Sequence, residues 1–90
     1  MELDELREHI DRLDREILRI LAERMSLIPK VAEYKKKHNV ERYQPEREKL
    51  ILEDKQKLAK QLNLSSELVE DIFKRIIMDS HRIEESIMGK

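Results

Sequence analysis

Apolar residues recur along the first part of the chain at alternating intervals of three and four: Leu3, Leu6, Ile10, Leu13, Ile17, Ile20, then Arg24, then Leu27, Val31 and Tyr34. That rhythm is one face of an α-helix. It predicts a single helix over about residues 2–38, about 55 Å long at 1.5 Å per residue. A chain of 90 residues cannot wrap a helix of that length by itself, so the helix is expected to pair with one from another subunit. Pro29 lies inside the stripe. Proline removes a backbone donor and crowds the preceding turn. Because the apolar phase runs through it unchanged, the pattern favours a kink over a true break.

The segment ends at His38–Asn39 without a glycine to close it, and Val40 to Tyr43 reads as a loop. Gln44–Pro45–Glu46 starts a second helix, over about 45–62, with proline in the first turn and an acid beside it. Its apolar face runs Ile51, Leu58, Leu62, with Leu50 alongside. Asn63–Leu64–Ser65 is a short connector, and Ser65 is placed to cap the helix that follows. That third helix, about 66–87, carries Leu68, Val69, Ile72, Phe73, Ile76, Ile77, Ile83 and Ile87 on its stripe. The expected architecture is all-α, three helices per chain, in one domain over residues 1–90, without repeats or low-complexity linkers.

Composition narrows the function. Charged residues make up 43% of the chain, yet 19 basic against 20 acidic side chains leave a net charge of −1. That balance gives no excess to neutralise phosphates, so a general nucleic-acid binder is disfavoured. No apolar run exceeds three residues, far short of a signal peptide or membrane span. The chain has no cysteine, hence no disulfide, zinc finger or thiol nucleophile, which fits a cytoplasmic protein. One glycine excludes a glycine-rich phosphate loop, and His9, His38 and His81 do not stand at zinc-ligand spacing.

The informative residues are polar ones where the stripes call for apolar ones. Arg24 occupies a core position between Ile17, Ile20 and Leu27, Val31. A buried, unpaired guanidinium costs several kcal/mol. Arg24 therefore either pairs with a carboxylate of a neighbouring helix or binds an anionic ligand, for which its planar fork suits two oxygens at once. Lys35 is eleven residues on, about three turns, and leaves the helix on nearly the same face about 16 Å further along. The two long side chains are able to bracket one small anion; alternatively Lys35 is a solvated helix lysine. Arg7 precedes Arg24 by seventeen residues, a rise of about 25 Å and a rotation of about 100°. One small ligand cannot touch both on one helix. Arg7 either serves a site built around a second copy of Arg24, in a dimer, or is an exposed residue paired with Asp11.

Arg47 shares a face with Ile51 and Leu58 and so points inward, as a ligand or ion-pairing group; Glu48 beside it also suits a first-turn acid. Ser80 and Glu84, four apart, continue the stripe of the third helix. The serine has a harmless alternative, bonding back to a carbonyl. A glutamate there is less comfortable. Burial favours its neutral form, and a neutral carboxyl donates a hydrogen bond where a carboxylate only accepts. Together these residues describe a pocket for a small, multiply anionic molecule, without a nucleophile or metal.

Several stretches carry a family resemblance. They are Leu6-Arg7-Glu8-His9-Ile10-Asp11-Arg12-Leu13-Asp14, Ile17 to Arg24, Val31-Ala32-Glu33-Tyr34-Lys35, Pro45-Glu46-Arg47-Glu48, and Ile76-Ile77-Met78-Asp79-Ser80 ending at Glu84. In this order and spacing, from about Leu3 to Ser86, the chain resembles the all-helical (AroQ-type, type II) chorismate mutases. The resemblance implies an intertwined homodimer with two active sites, each taking Arg7 from one subunit and the other groups from its partner. It implies that Arg24 and Arg7 hold the enolpyruvyl carboxylate, and that Arg47, with Ser80, holds or neighbours the ring carboxylate. Glu48 would accept from the ring hydroxyl, aided by the backbone near Gln44, and Lys35 and Glu84 would donate to the ether oxygen. The implied reaction is the Claisen rearrangement of chorismate to prephenate, an isomerisation on the way to phenylalanine and tyrosine that needs no cofactor.

Three positions depart from the family pattern. Glu84 stands where many relatives have Gln. Gln44 stands where an acid is frequent. His81 replaces a commonly apolar pocket residue and either turns outward or tunes the charge of the site. A related reading on the same scaffold is an isochorismate–pyruvate lyase. A reading of another class is a non-catalytic helical dimer, against which the inward Arg24, Arg47 and Glu84 argue, since without a ligand they only cost stability. Ninety residues hold no fused dehydrogenase, dehydratase or synthase domain, so a freestanding mutase is expected.

Overall fold

The computed structural model describes residues Met1–Lys90 as four helical segments without strands: α1 (Leu3–Ser26), α2 (Ile28–Lys37), α3 (Pro45–Gln61) and α4 (Ser66–Met88). The expected single first helix is thus interrupted at one residue, Leu27. The cause is Pro29, which has no N–H to offer the carbonyl four residues back. The Leu27 N–H reaches only three residues back, to the Arg24 carbonyl at 3.1 Å, and the regular ladder resumes with Val31 N–H to the Leu27 carbonyl at 3.1 Å. Leu27 keeps right-handed helical dihedrals, φ −83° and ψ −19°. The path therefore continues, and the molecule's longest dimension, 55 Å, is that of a rod running the length of α1 and α2 at 1.5 Å per residue.

Both later connections use asparagine where glycine is absent. Asn39 (φ 55°) and Asn63 (φ 58°) adopt the left-handed conformation that ends a helix. Beyond them Val40 N–H bonds the Lys35 carbonyl at 2.9 Å, and Leu64 N–H bonds the Ala59 carbonyl at 2.8 Å. These six-to-one bonds satisfy carbonyls the helices leave open. Ser65 caps α4 by accepting from the Leu68 N–H at 3.2 Å.

Packing is uneven. The helix α4 lies against α2 and α3, whereas α1 makes its main contacts only with α2. Ala32 on α2, Ala59 on α3 and Val69 on α4 are the buried apolar residues, joined by Ser80 and Glu84 of α4. Small side chains at 32 and 59 let the helices approach closely. By contrast α1 buries nothing. Leu3, Leu6, Ile10, Leu13, Ile17 and Ile20 remain between 44% and 64% exposed. A wide apolar groove of about 650 Å³ runs between the second half of α1 and α4, floored by Ile17, Ile20, Ile72, Phe73 and Ile76. The radius of gyration is 16.4 Å, against about 12 Å for a compact chain of this length. No helix is long and apolar enough to cross a membrane.

Candidate active site

Where α2, α3 and the middle of α4 meet, they enclose a cavity of about 160 Å³. Ile28 and Val31 of α2, Ile51 of α3 and Ile77 of α4 supply its apolar wall. The polar lining includes Arg24, Lys35, Gln44, Arg47, Glu48, Ser80 and Glu84, so residues 60 positions apart in sequence come together. Of the eight site residues expected from the sequence, only Arg7 lies elsewhere, on the exposed N-terminal half of α1.

The individual contacts separate the alternatives the sequence left open. Arg24 meets no carboxylate. Its Nη1 lies 3.5 Å from Ser80 Oγ and 3.8 Å from Met25 Sδ, so a charge in the helical seam stays without an ionic partner. Ser80 itself donates to the Ile76 carbonyl at 2.9 Å, the local bond expected of a helical serine. Lys35 is not a solvated lysine: its side chain is 12% exposed and pairs with Glu84, 7% exposed, at 2.8 Å. A second Lys35 proton goes to the Arg42 carbonyl, also at 2.8 Å. An ammonium has three donors, so one is free to point into the cavity. Glu84 engages Lys35 through Oε1, and no buried side-chain polar atom lacks a partner, so its other oxygen, on a residue that lines the cavity, is not sealed off.

The start of α3 contributes the opposite wall. Gln44 is the residue before the helix, and its carbonyl accepts from the N–H groups of Arg47 and Glu48 at 3.1 and 3.2 Å. Its own side chain makes no capping bond. Arg47 is exposed at the mouth, while Glu48 is half-buried and bonded to His81 Nε2 at 2.8 Å. Away from the cavity, the Lys55 ammonium beside Asp54 and the Arg82 guanidinium beside Asp79 hold these exposed carboxyls below their ordinary range. No cluster of His, Cys, Asp or Glu side chains has the form of a metal site. The cavity thus offers four cationic side chains, Arg24, Lys35, Arg42 and Arg47, against two carboxylates, Glu48 and Glu84, with hydrogen-bonding groups around an apolar floor, and can hold a compact polyanion in one orientation.

A family model described as chorismate mutase type II matches residues 6–85. The chain belongs to the chorismate mutase type II family. Among its relatives, the chorismate mutase of Methanocaldococcus jannaschii is 35% identical over 96% of this chain and 87% of its own length. The T-protein of Haemophilus influenzae is 35% identical over 91% of this chain but 22% of its own length. The bifunctional chorismate mutase/prephenate dehydratase of Aquifex aeolicus is 39% identical over 96% and 25% respectively. The chain therefore spans about a quarter or less of the T-protein and bifunctional relatives it matches.

Two cavity residues escape a reading by pattern. Arg42 lies in the loop between α2 and α3, where no periodicity assigns a side chain a direction. His81 follows Ser80 on α4 and turns inward, at the edge of the stripe. The only sequence signal for Arg42 was its place a few residues ahead of Gln44–Pro45.

Proposed function

We propose that this chain, acting as one mutase domain over residues 1–90, converts chorismate to prephenate. The observation that carries the reading is the convergence of Arg24, Lys35 and Arg47 on one small cavity without carboxylates to neutralise all three. Chorismate carries two carboxylates, a ring hydroxyl and the ether oxygen whose bond to carbon breaks. The cavity offers matching groups. Arg24, 3.5 Å from Ser80 Oγ, takes the enolpyruvyl carboxylate, and Arg47 the ring carboxylate. Glu48 accepts from the ring hydroxyl. The free Lys35 donor faces the ether oxygen, with the open oxygen of Glu84 donating there when protonated.

The reaction is a concerted rearrangement within one molecule. Two contributions suffice. Clamping both carboxylates holds the extended substrate in its folded, reactive shape, a proximity effect. Negative charge grows on the ether oxygen as carbon and oxygen separate, and a donor already fixed by two hydrogen bonds stabilises it without reorganisation. Lys35 is fixed in that way, by Glu84 and the Arg42 carbonyl.

The working unit is an intertwined homodimer. The exposed apolar stripe of α1 and the groove between α1 and α4 support this, since a second copy of α1 has the shape and chemistry to fill the groove. Arg24 lines both that groove and the cavity. An α1 seated there brings Arg7 of the partner subunit toward the same carboxylate. The direct test is incubation with chorismate while its loss and the appearance of prephenate are followed. Prephenate is the expected product; pyruvate instead would assign a lyase, and no change in either would remove the reading.

A further inference from the structure

We propose that His81 is a positioning residue that presents Glu48 to the substrate as a fixed acceptor, and that Arg42 sets the proton arrangement this requires. His81 Nδ1 lies 2.6 Å from Arg42 Nη1, and Nε2 lies 2.8 Å from Glu48 Oε2. A guanidinium only donates, so Nδ1 accepts. The imidazole proton is then on Nε2, and Nε2–H donates to the carboxylate. This one tautomer satisfies both neighbours. A second proton, on Nδ1, would face the guanidinium N–H and break the Arg42 bond.

Arg42 is itself fixed. Its Nε donates to the Lys90 carbonyl at 2.5 Å, and its Nη2 lies 3.3 Å from Glu85 Oε1. Its backbone carbonyl holds Lys35. One loop residue thereby ties the ammonium on one side of the cavity to the imidazole on the other. The charged and titratable groups around His81 are Arg42 and Tyr43 from the loop, Arg47 and Glu48 from α3, Lys35 from α2, and Glu84 and Glu85 on its own helix. The Tyr43 ring meets the imidazole edge-on at 5.9 Å between centroids. The imidazole thus cannot rotate away without losing its contacts with Arg42, Glu48 and Tyr43.

The consequence is that one Glu48 oxygen is occupied by His81 and the other is left, in a set orientation, for a single donor on the substrate. That contact is equally present before and during rearrangement, so its loss weakens binding more than chemistry. The inference rests on the chorismate reading for its kinetic arm and on the apo protein for its other arm.

The experiment pairs imidazole ¹⁵N NMR of the substrate-free protein with steady-state kinetics on chorismate, both at neutral pH. A neutral His81 with its proton on Nε2 is expected at neutral pH. His81→Leu is expected to raise KM about tenfold with kcat within a few-fold, and His81→Gln, which keeps an amide donor, to restore most of it. A proton on Nδ1, an unchanged KM in His81→Leu, or a His81→Gln variant as impaired as His81→Leu would each overturn the inference. Absence of turnover by the native protein would overturn the chorismate reading instead, and the NMR tautomer would still judge the His81–Glu48 bond.

Discussion

Arg24 stands in the apolar seam of α1 beside a serine and a thioether, with no carboxylate to offset its charge. Such a residue lowers stability unless a ligand uses it. Arg24→Leu is therefore expected to leave the melting temperature unchanged or raise it, while kcat/KM for chorismate falls by about a hundredfold, the value of a charge-assisted, two-pronged contact. Thermal melts and steady-state kinetics on one preparation check both halves. Lys35 and Glu84 behave oppositely, because they are buried together. Lys35→Met removes the donor proposed for the ether oxygen and leaves a buried carboxylate alone. It should cost about 10²–10³-fold in kcat and a few kcal/mol of stability. Adding Glu84→Leu should recover the stability and none of the activity, a split that denaturant titration and turnover resolve. Glu84→Gln is the milder change. It keeps an acceptor for the Lys35 ammonium and adds an amide donor, so it should fold like the native protein and retain most of its kcat, which thermal melts and turnover check. Inward polar residues on helical stripes could be read from spacing alone, since a helix fixes where each side chain leaves. Arg42 could not, because a loop has no period, and the direction of His81, at the edge of its stripe, is settled only by the neighbours it meets.

The same logic holds for whole elements. The heptad rhythm crosses Leu27 intact because Leu27 keeps helical dihedrals, which is why the pattern shows a continuous stripe where the hydrogen-bond ladder has a gap. Pro29 announced the disturbance, but the exact residue where the ladder fails depends on which N–H groups find a carbonyl three rather than four residues back. Helix ends without glycine were harder to see. Asn39 and Asn63 take the left-handed role, which asparagine tolerates better than other residues with a side chain. Asn63 is remote from the cavity, so it isolates the cost of that conformation. Asn63→Ala should destabilise by about 1 kcal/mol, and Asn63→Gly should be neutral or stabilising. For a domain of this size that is a fall of several degrees in melting temperature for the alanine variant alone. Turnover should be preserved in both, measured at a temperature where each is folded.

At the scale of the molecule, the extended shape and the bare apolar face of α1 ask for a second copy, and the placement of Arg7 asks where that copy sits. On one chain Arg7 is far along the rod from the cavity that holds Arg24. Subunit mixing decides whether it acts across the interface. Arg7→Ala and Arg24→Leu should each be nearly inactive alone. In a hybrid dimer, one site combines the intact Arg24 of the first variant with the intact Arg7 of the second, and the other site lacks both. Unfolding the two variants together and refolding them at equal concentrations gives hybrids in about half of the dimers. With one working site in each, about a quarter of the native activity should return. An Arg7 that served its own chain's cavity would give no intact site in any combination, and activity would stay at the level of the parents. Dilution adds a further check, because a site completed by two subunits loses activity when the dimer dissociates. The regained activity should therefore decline with protein concentration along the same curve as the dimer measured by ultracentrifugation.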